Sequence, residues 1–130
     1  MSKEIIYTKN APEPIGPYSQ AIKFRHENPF LVYTSGQIAI DPVTETMIEG
    51  DIKVQTHQVM KNLKAILVAA YMGFNHVVKT TIFITDMNKF SEINEVYGKY
   101  FDGDFPARET VQVAALPRFV NIEISMIAVK

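Results

Sequence analysis

Ile52, Thr56, Val59, Leu63, Ile66 and Ala70 recur at alternating four- and three-residue steps, the period of an amphipathic α-helix. Asp51 suits the start of that helix as an N-cap, and Gly73 suits the position just past its end. The period then changes. Residues 77–85 are rich in β-branched side chains and predict a strand, and Phe90, Ile93, Val96 or Tyr97, and Tyr100 or Phe101 predict a second helix. Ahead of the first helix, residues 4–8, 21–25 and 30–34 read as strands, the last two paired around His26-Glu27-Asn28-Pro29. Two terminal strands, joined through Leu116-Pro117-Arg118-Phe119, close the chain. The resulting order is β-β-β-α-β-α-β-β, which predicts an α+β fold with a mixed sheet and two helices covering one face.

At 130 residues, one domain spanning 1–130 is expected, too small to enclose a ligand pocket by itself. Apolar side chains on both faces of several strands predict that the second sheet face is buried by self-association in a closed ring. The formal net charge of −1 and the lack of a basic stripe argue against a nucleic-acid or anionic-membrane footprint. Cysteine is absent, which excludes thiolate nucleophiles, disulfides and cysteine-held metals. Residues 63–72 form the most apolar stretch, too short to span a bilayer and interrupted by Lys64. With no apolar signal core in residues 1–6, the expected location is the cytoplasm.

His26, His57 and His76 are scattered without ligand spacing, and no phosphate-binding, dinucleotide or zinc-hydrolase motif occurs. The chemistry concentrates elsewhere. Alternation places Arg108, Thr110 and Gln112 on one face of a strand. If the closing connection turns near Leu116 and Pro117, Thr110 faces Glu123 across a hairpin. Arg108 is then either a carboxylate clamp or an ordinary ion-pair partner, and Glu123 either a general base or that arginine's structural counter-charge. The two roles compete if the side chains touch. Tyr18, after the proline-rich segment 10–17, either walls a pocket or packs under its loop, and Ser35-Gly36 either offers a hydroxyl and close backbone approach or ends a strand.

Gly16-Pro17-Tyr18-Ser19-Gln20, Thr34-Ser35-Gly36-Gln37, Asp86-Met87-Asn88, Pro106-Ala107-Arg108 and Ile122-Glu123 together resemble the reactive intermediate deaminase (Rid) family along nearly the whole chain. The resemblance implies a chorismate-mutase-like α+β fold, a homotrimer built around a barrel of sheets, and sites in the clefts between subunits. It implies hydrolysis of 2-imino acids, such as 2-iminopropanoate and 2-iminobutanoate, to 2-oxo acids and ammonia without metal or organic cofactor. Arg108 would bind the substrate carboxylate and Glu123 would activate water. Tyr18, Ser35, Asn88 and Phe90 would line the pocket, with polar contacts from around Gly36 and Thr110. A noncatalytic metabolite-binding module, or one acting on protein or RNA, is the competing expectation. Two departures stand out. Position 110 is often cysteine in the family but threonine here, and Glu109 follows the arginine where small or apolar residues are usual. Alternation turns Glu109 away from Arg108, unless a bulge there lets it compete for the guanidinium.

Overall fold

The structure, a computed structural model, describes residues 2–25 and 29–130. The expected loop at His26-Glu27-Asn28 lies outside the described residues. Strands β1 (Ser2–Ile6), β2 (Ala21–Arg25) and β3 (Phe30–Thr34) precede helix α1 (Ile52–Ala69), strand β4 (Val77–Ile84), helix α2 (Phe90–Gly98) and strands β5 (Ala107–Gln112) and β6 (Ile122–Val129). They form a six-stranded mixed sheet in the order β1-β2-β3-β6-β4-β5, with β5 parallel to β4. The predicted element order, the α+β class and the two helices are present. The first strand begins earlier than expected, at Ser2 rather than Glu4.

The helix-side core follows from strand alternation. Ile122, Ile124, Met126 and Ala128 of β6 are buried together with Thr80, Ile82 and Ile84 of β4, against Val59, Leu63 and Ile66 of α1 and Ile93 and Tyr97 of α2. Asp51 caps α1 as its sequence position predicts, its carboxylate accepting from the Val54 amide at 3.0 Å. The far end differs. Tyr71, at φ 59°, takes the left-handed position, with its amide bonded to Val68 O and that of Met72 to Leu67 O, the pattern of a Schellman motif. Gly73 instead opens a 3₁₀ turn, Phe74–His76. That turn lets the chain enter β4 at Val77.

The closing strands do not form the expected hairpin. Strand β4 lies between β5 and β6, with Thr80 opposite Arg108 on one side and Met126 on the other. A physical reason is visible in β4 itself: its eight residues carry Val77, Thr80, Ile82 and Ile84 inward, and such a strand is best placed where both edges and the apolar face are covered. The chain between β5 and β6 is no tight turn either. It makes a 3₁₀ turn at Pro117–Phe119, with Arg118 and Phe119 at positive φ and Leu116 buried.

On the helix-free face, Ile5, Tyr33 and Val111 are 53%, 47% and 43% exposed. Phe83, Leu116, Val120, Ile38 and Ile40 gather into a smaller cluster near one end. Among the described residues no helix is long and apolar enough to cross a membrane.

Candidate functional site

Gln20 holds the proline-rich segment in place. Only 2% exposed, it donates through Nε2 to the carbonyls of Thr8, Ala11 and Pro12 and accepts from the Thr8 amide at 2.7 Å. A segment whose prolines cannot join a ladder thereby gains fixed partners. Tyr18 emerges from it with its hydroxyl accepting from the Ile15 amide at 3.3 Å. Ser35 ties the neighbouring chain in, its hydroxyl donating to Ser19 O and its amide to Gln20 O. The Ser35 proton is therefore committed to the backbone.

Beyond Ser35 the chain runs beside β6, bonded in both directions between Gln37 and Ile124. Fully buried Asn62 of α1 fastens this stretch from behind by donating to Ile38 O and Ile40 O at 3.2 and 2.9 Å. Gly36 consequently lies directly against Glu123. A Cβ there would sit 2.8 Å from Glu123 Cγ and closer still to the carboxylate, so the position tolerates glycine alone while Glu123 keeps its place. Ile15, Tyr18, Ser35, Gly36, Ile38, Pro117 and Glu123 line a cavity of about 260 Å³.

Glu123 is partly buried there and, among the described residues, has neither a hydrogen-bond nor an ion-pair partner. Burial alone raises its pKa above the usual 4.5. A partly desolvated, unpaired carboxylate is a better proton acceptor than a solvated one.

Arg108 belongs to a second cavity. Its guanidinium carbon lies 5.0 Å from the Tyr97 ring centroid and 5.5 Å from that of Phe90, contacts that orient a planar cation without consuming its N–H donors. Tyr97 is itself fixed, donating to Thr80 Oγ1 at 2.9 Å from a buried hydroxyl whose pKa burial raises. Asn94, Tyr97, Gly98, Phe105, Pro106 and Arg108 line about 290 Å³. Gln112, on the same strand face as Arg108, accepts from the Met87 amide at 2.7 Å. The Asn88 amide, next in the turn, donates to Asp86, so the segment bearing Asn88 and Phe90 is pinned to β5.

The expected single convergence of these residues is not found within the chain. Arg108 registers with Thr80 and faces the helices, whereas Glu123 registers with Phe83 and faces away. Thr110, registered with Ile82, lies on the Arg108 side. The eight candidates thus divide in two: Tyr18, Ser35, Gly36 and Glu123 at one cavity, and Asn88, Phe90, Arg108 and Thr110 on the other side of the sheet. Pairing Thr110 with Glu123 assumed a hairpin that β4 interrupts.

Glu109 does turn away from Arg108, as alternation predicts. Its carboxylate lies 3.6 Å from Lys79 Nζ and 3.5 Å from Thr81 Oγ1, so it does not occupy the guanidinium. His57 pairs with the Tyr100 hydroxyl at 3.0 Å, and His76 accepts from the Gly73 amide. Sequence reading missed Tyr97, Asn94 and Phe105 as lining residues. The signal available was the run Phe90, Asn94, Tyr97, which a helical period places on one face.

The family model described as endoribonuclease L-PSP matches residues 8–130. The chain belongs to this family, the Rid family. It is 45% identical over 128 residues to the mouse 2-iminobutanoate/2-iminopropanoate deaminase, covering 98% of this chain and 92% of that protein. A Rid-family protein of unknown function, YyfA from Yersinia pestis, is 51% identical with a TM-score of 0.92, over 98% of both chains. The Escherichia coli protein TdcF, solved with bound serine, is 43% identical with a TM-score of 0.89 and the same coverage. Membership in the Rid family supports imine or enamine deaminase activity. The mixed sheet and paired helices match the structures of these relatives.

Proposed function

We propose that this chain hydrolyses 2-imino acids, with 2-iminopropanoate and 2-iminobutanoate as substrates, in sites formed between the subunits of a homotrimeric barrel. One observation carries the reading: Arg108 and Glu123 are both unpaired among the described residues, on opposite faces of one sheet. An ion pair between them would have disabled both. Held apart, each keeps its function, and a neighbouring copy whose Arg108 side meets this copy's Glu123 side would complete the set. The half-exposed Ile5, Tyr33 and Val111 on the helix-free face favour such association.

The chemistry asks little of the protein. Arg108 would grip the substrate carboxylate through its planar fork while stacked on Phe90 and Tyr97. Glu123 would take a proton from water as oxygen attacks the protonated imine carbon. Glu123 would return that proton to the carbinolamine nitrogen, the C–N bond would break as ammonia leaves, and the hydroxyl proton would pass to the departing ammonia, so that the products are the 2-oxo acid and ammonium. Atoms and charge balance without a cofactor. Thr110 supplies a hydroxyl where many relatives carry a thiol, and attack by water needs no thiolate.

The serine bound to TdcF favours a second reading, a noncatalytic binder of small amino or oxo acids that uses the same arginine. Turnover separates the two. Purified protein added to an amino-acid oxidase or threonine dehydratase should speed ammonia release and lower the imine trapped by semicarbazide. An unchanged trapping yield, with 2-oxo acid still bound, would leave the binder. A net charge of −1 disfavours an RNA-acting role.

A further inference from the structure

Among the described residues, two buried side-chain polar atoms have no hydrogen-bond partner: Asn94 Oδ1 and Thr110 Oγ1. Both belong to the surroundings of Arg108. Thr110 follows it by two residues on the same strand face, and Asn94 lines the same cavity. Asn94 also lies one helical turn after Phe90 and one before Tyr97, the two rings over which the guanidinium rests. Asn94 thus shares one helix face with both rings and one cavity with the cation.

An amide oxygen buried without a donor is costly and is ordinarily matched by a group within reach. Asn94 Oδ1 is almost fully occluded, so a substrate approaching from solvent has poor access to it. Arg108 has five N–H donors and, among the described residues, no acceptor engaged. We infer that Asn94 is the positioning residue for Arg108: unbonded to each other in this structure, the two meet as a carboxylate is gripped, when the guanidinium gives one N–H to Asn94 Oδ1 and the remaining fork is turned toward the carboxylate. The rings fix the plane of the cation, but stacking leaves rotation within that plane free. A hydrogen bond at one edge removes this freedom, and bidentate recognition requires that it be removed.

The inference rests on Arg108 being the carboxylate anchor proposed above. Its test measures binding of 2-oxobutanoate by calorimetry to wild type, Asn94→Leu, Arg108→Lys and the double variant, alongside imine turnover. Asn94→Leu keeps the volume and loses the acceptor; its affinity should fall about 10- to 100-fold, the effect of a hydrogen bond to a charged group. In the Arg108→Lys background the same change should matter little, because the fork it orients is gone. Asn94→Asp adds a readout that a packing role would not move: its carboxylate should pair with Arg108 and block binding near neutral pH, with affinity recovering as acid protonates it. Equal losses in both backgrounds, wild-type affinity in Asn94→Leu, or no binding by wild type would overturn the inference. Wild type that binds 2-oxobutanoate but leaves imine unhydrolysed, with the coupling intact, would remove the deaminase reading and sustain the role of Asn94.

Discussion

Arg108 and Glu123 project from opposite faces of one sheet, with β4 between the strands that carry them. Two charges that would neutralise each other in contact are therefore both available. Every prediction about the site follows from that separation.

Glu123→Gln keeps shape and removes the proton acceptor. Binding of a 2-oxo acid should be nearly unchanged while imine hydrolysis falls about 10²- to 10⁴-fold, the range for a general base. Steady-state kinetics beside product binding will read this. A loss under about threefold would be too small for that role.

The same carboxylate sets a pH limb. Burial raises its pKa above 4.5, so kcat/KM should climb with pH through a window above the ordinary glutamate range, and Glu123→Gln should lack that limb. Stability runs the other way. A folded-state pKa above the unfolded value means that the favourable contribution is present below the unfolded pKa and is lost as pH rises through the folded one. Wild type should therefore lose stability relative to Glu123→Gln across that window, as thermal melts at stepped pH would show.

Arg108→Lys preserves charge but not the planar fork. The loss should be about 2–4 kcal/mol, or about 30- to 1,000-fold in kcat/KM. Near-normal kinetics in a folded variant would contradict the anchor role.

Gly36→Ala tests the close approach directly. Its Cβ would overlap the Glu123 side chain, which must swing away or push β6 from its neighbour. Activity should fall as in Glu123→Gln. Pairing Gly36→Ala with Glu123→Gln should add little further loss, since both act through one group.

The fold was legible where periodicity speaks. The helical spacing from Ile52 to Ala70, the cap at Asp51 and the β-branched run in β4 each produced the element they predict. What failed was long-range pairing. Alternation correctly put Arg108, Thr110 and Gln112 on one face and Glu109 on the other, but nothing local in β5 and β6 reveals that β4 enters between them. Tyr71 hid the end of α1 for a similar reason, because a non-glycine residue in the left-handed region leaves no compositional mark. The motif residues could be singled out one by one as candidates, whereas their division between two sheet faces required the topology. Asn94 and Tyr97 looked like ordinary helix residues until Arg108 was seen to lie over the ring of Tyr97.

Association is the remaining expectation. Mass measurement in solution should give three times the 14.7 kDa of the chain, since the apolar helix-free face needs cover. A fully active monomer at micromolar concentration would remove the shared site.

The most direct test of that shared site is complementation. Arg108→Lys and Glu123→Gln chains, each nearly inactive alone, are to be co-expressed and purified as mixed trimers. If each site takes Arg108 from one subunit and Glu123 from its neighbour, every mixed trimer carries one site in three with both native residues, and about a third of wild-type activity should return. Activity in the mixed trimers no higher than in the separate variants would contradict a site divided between subunits.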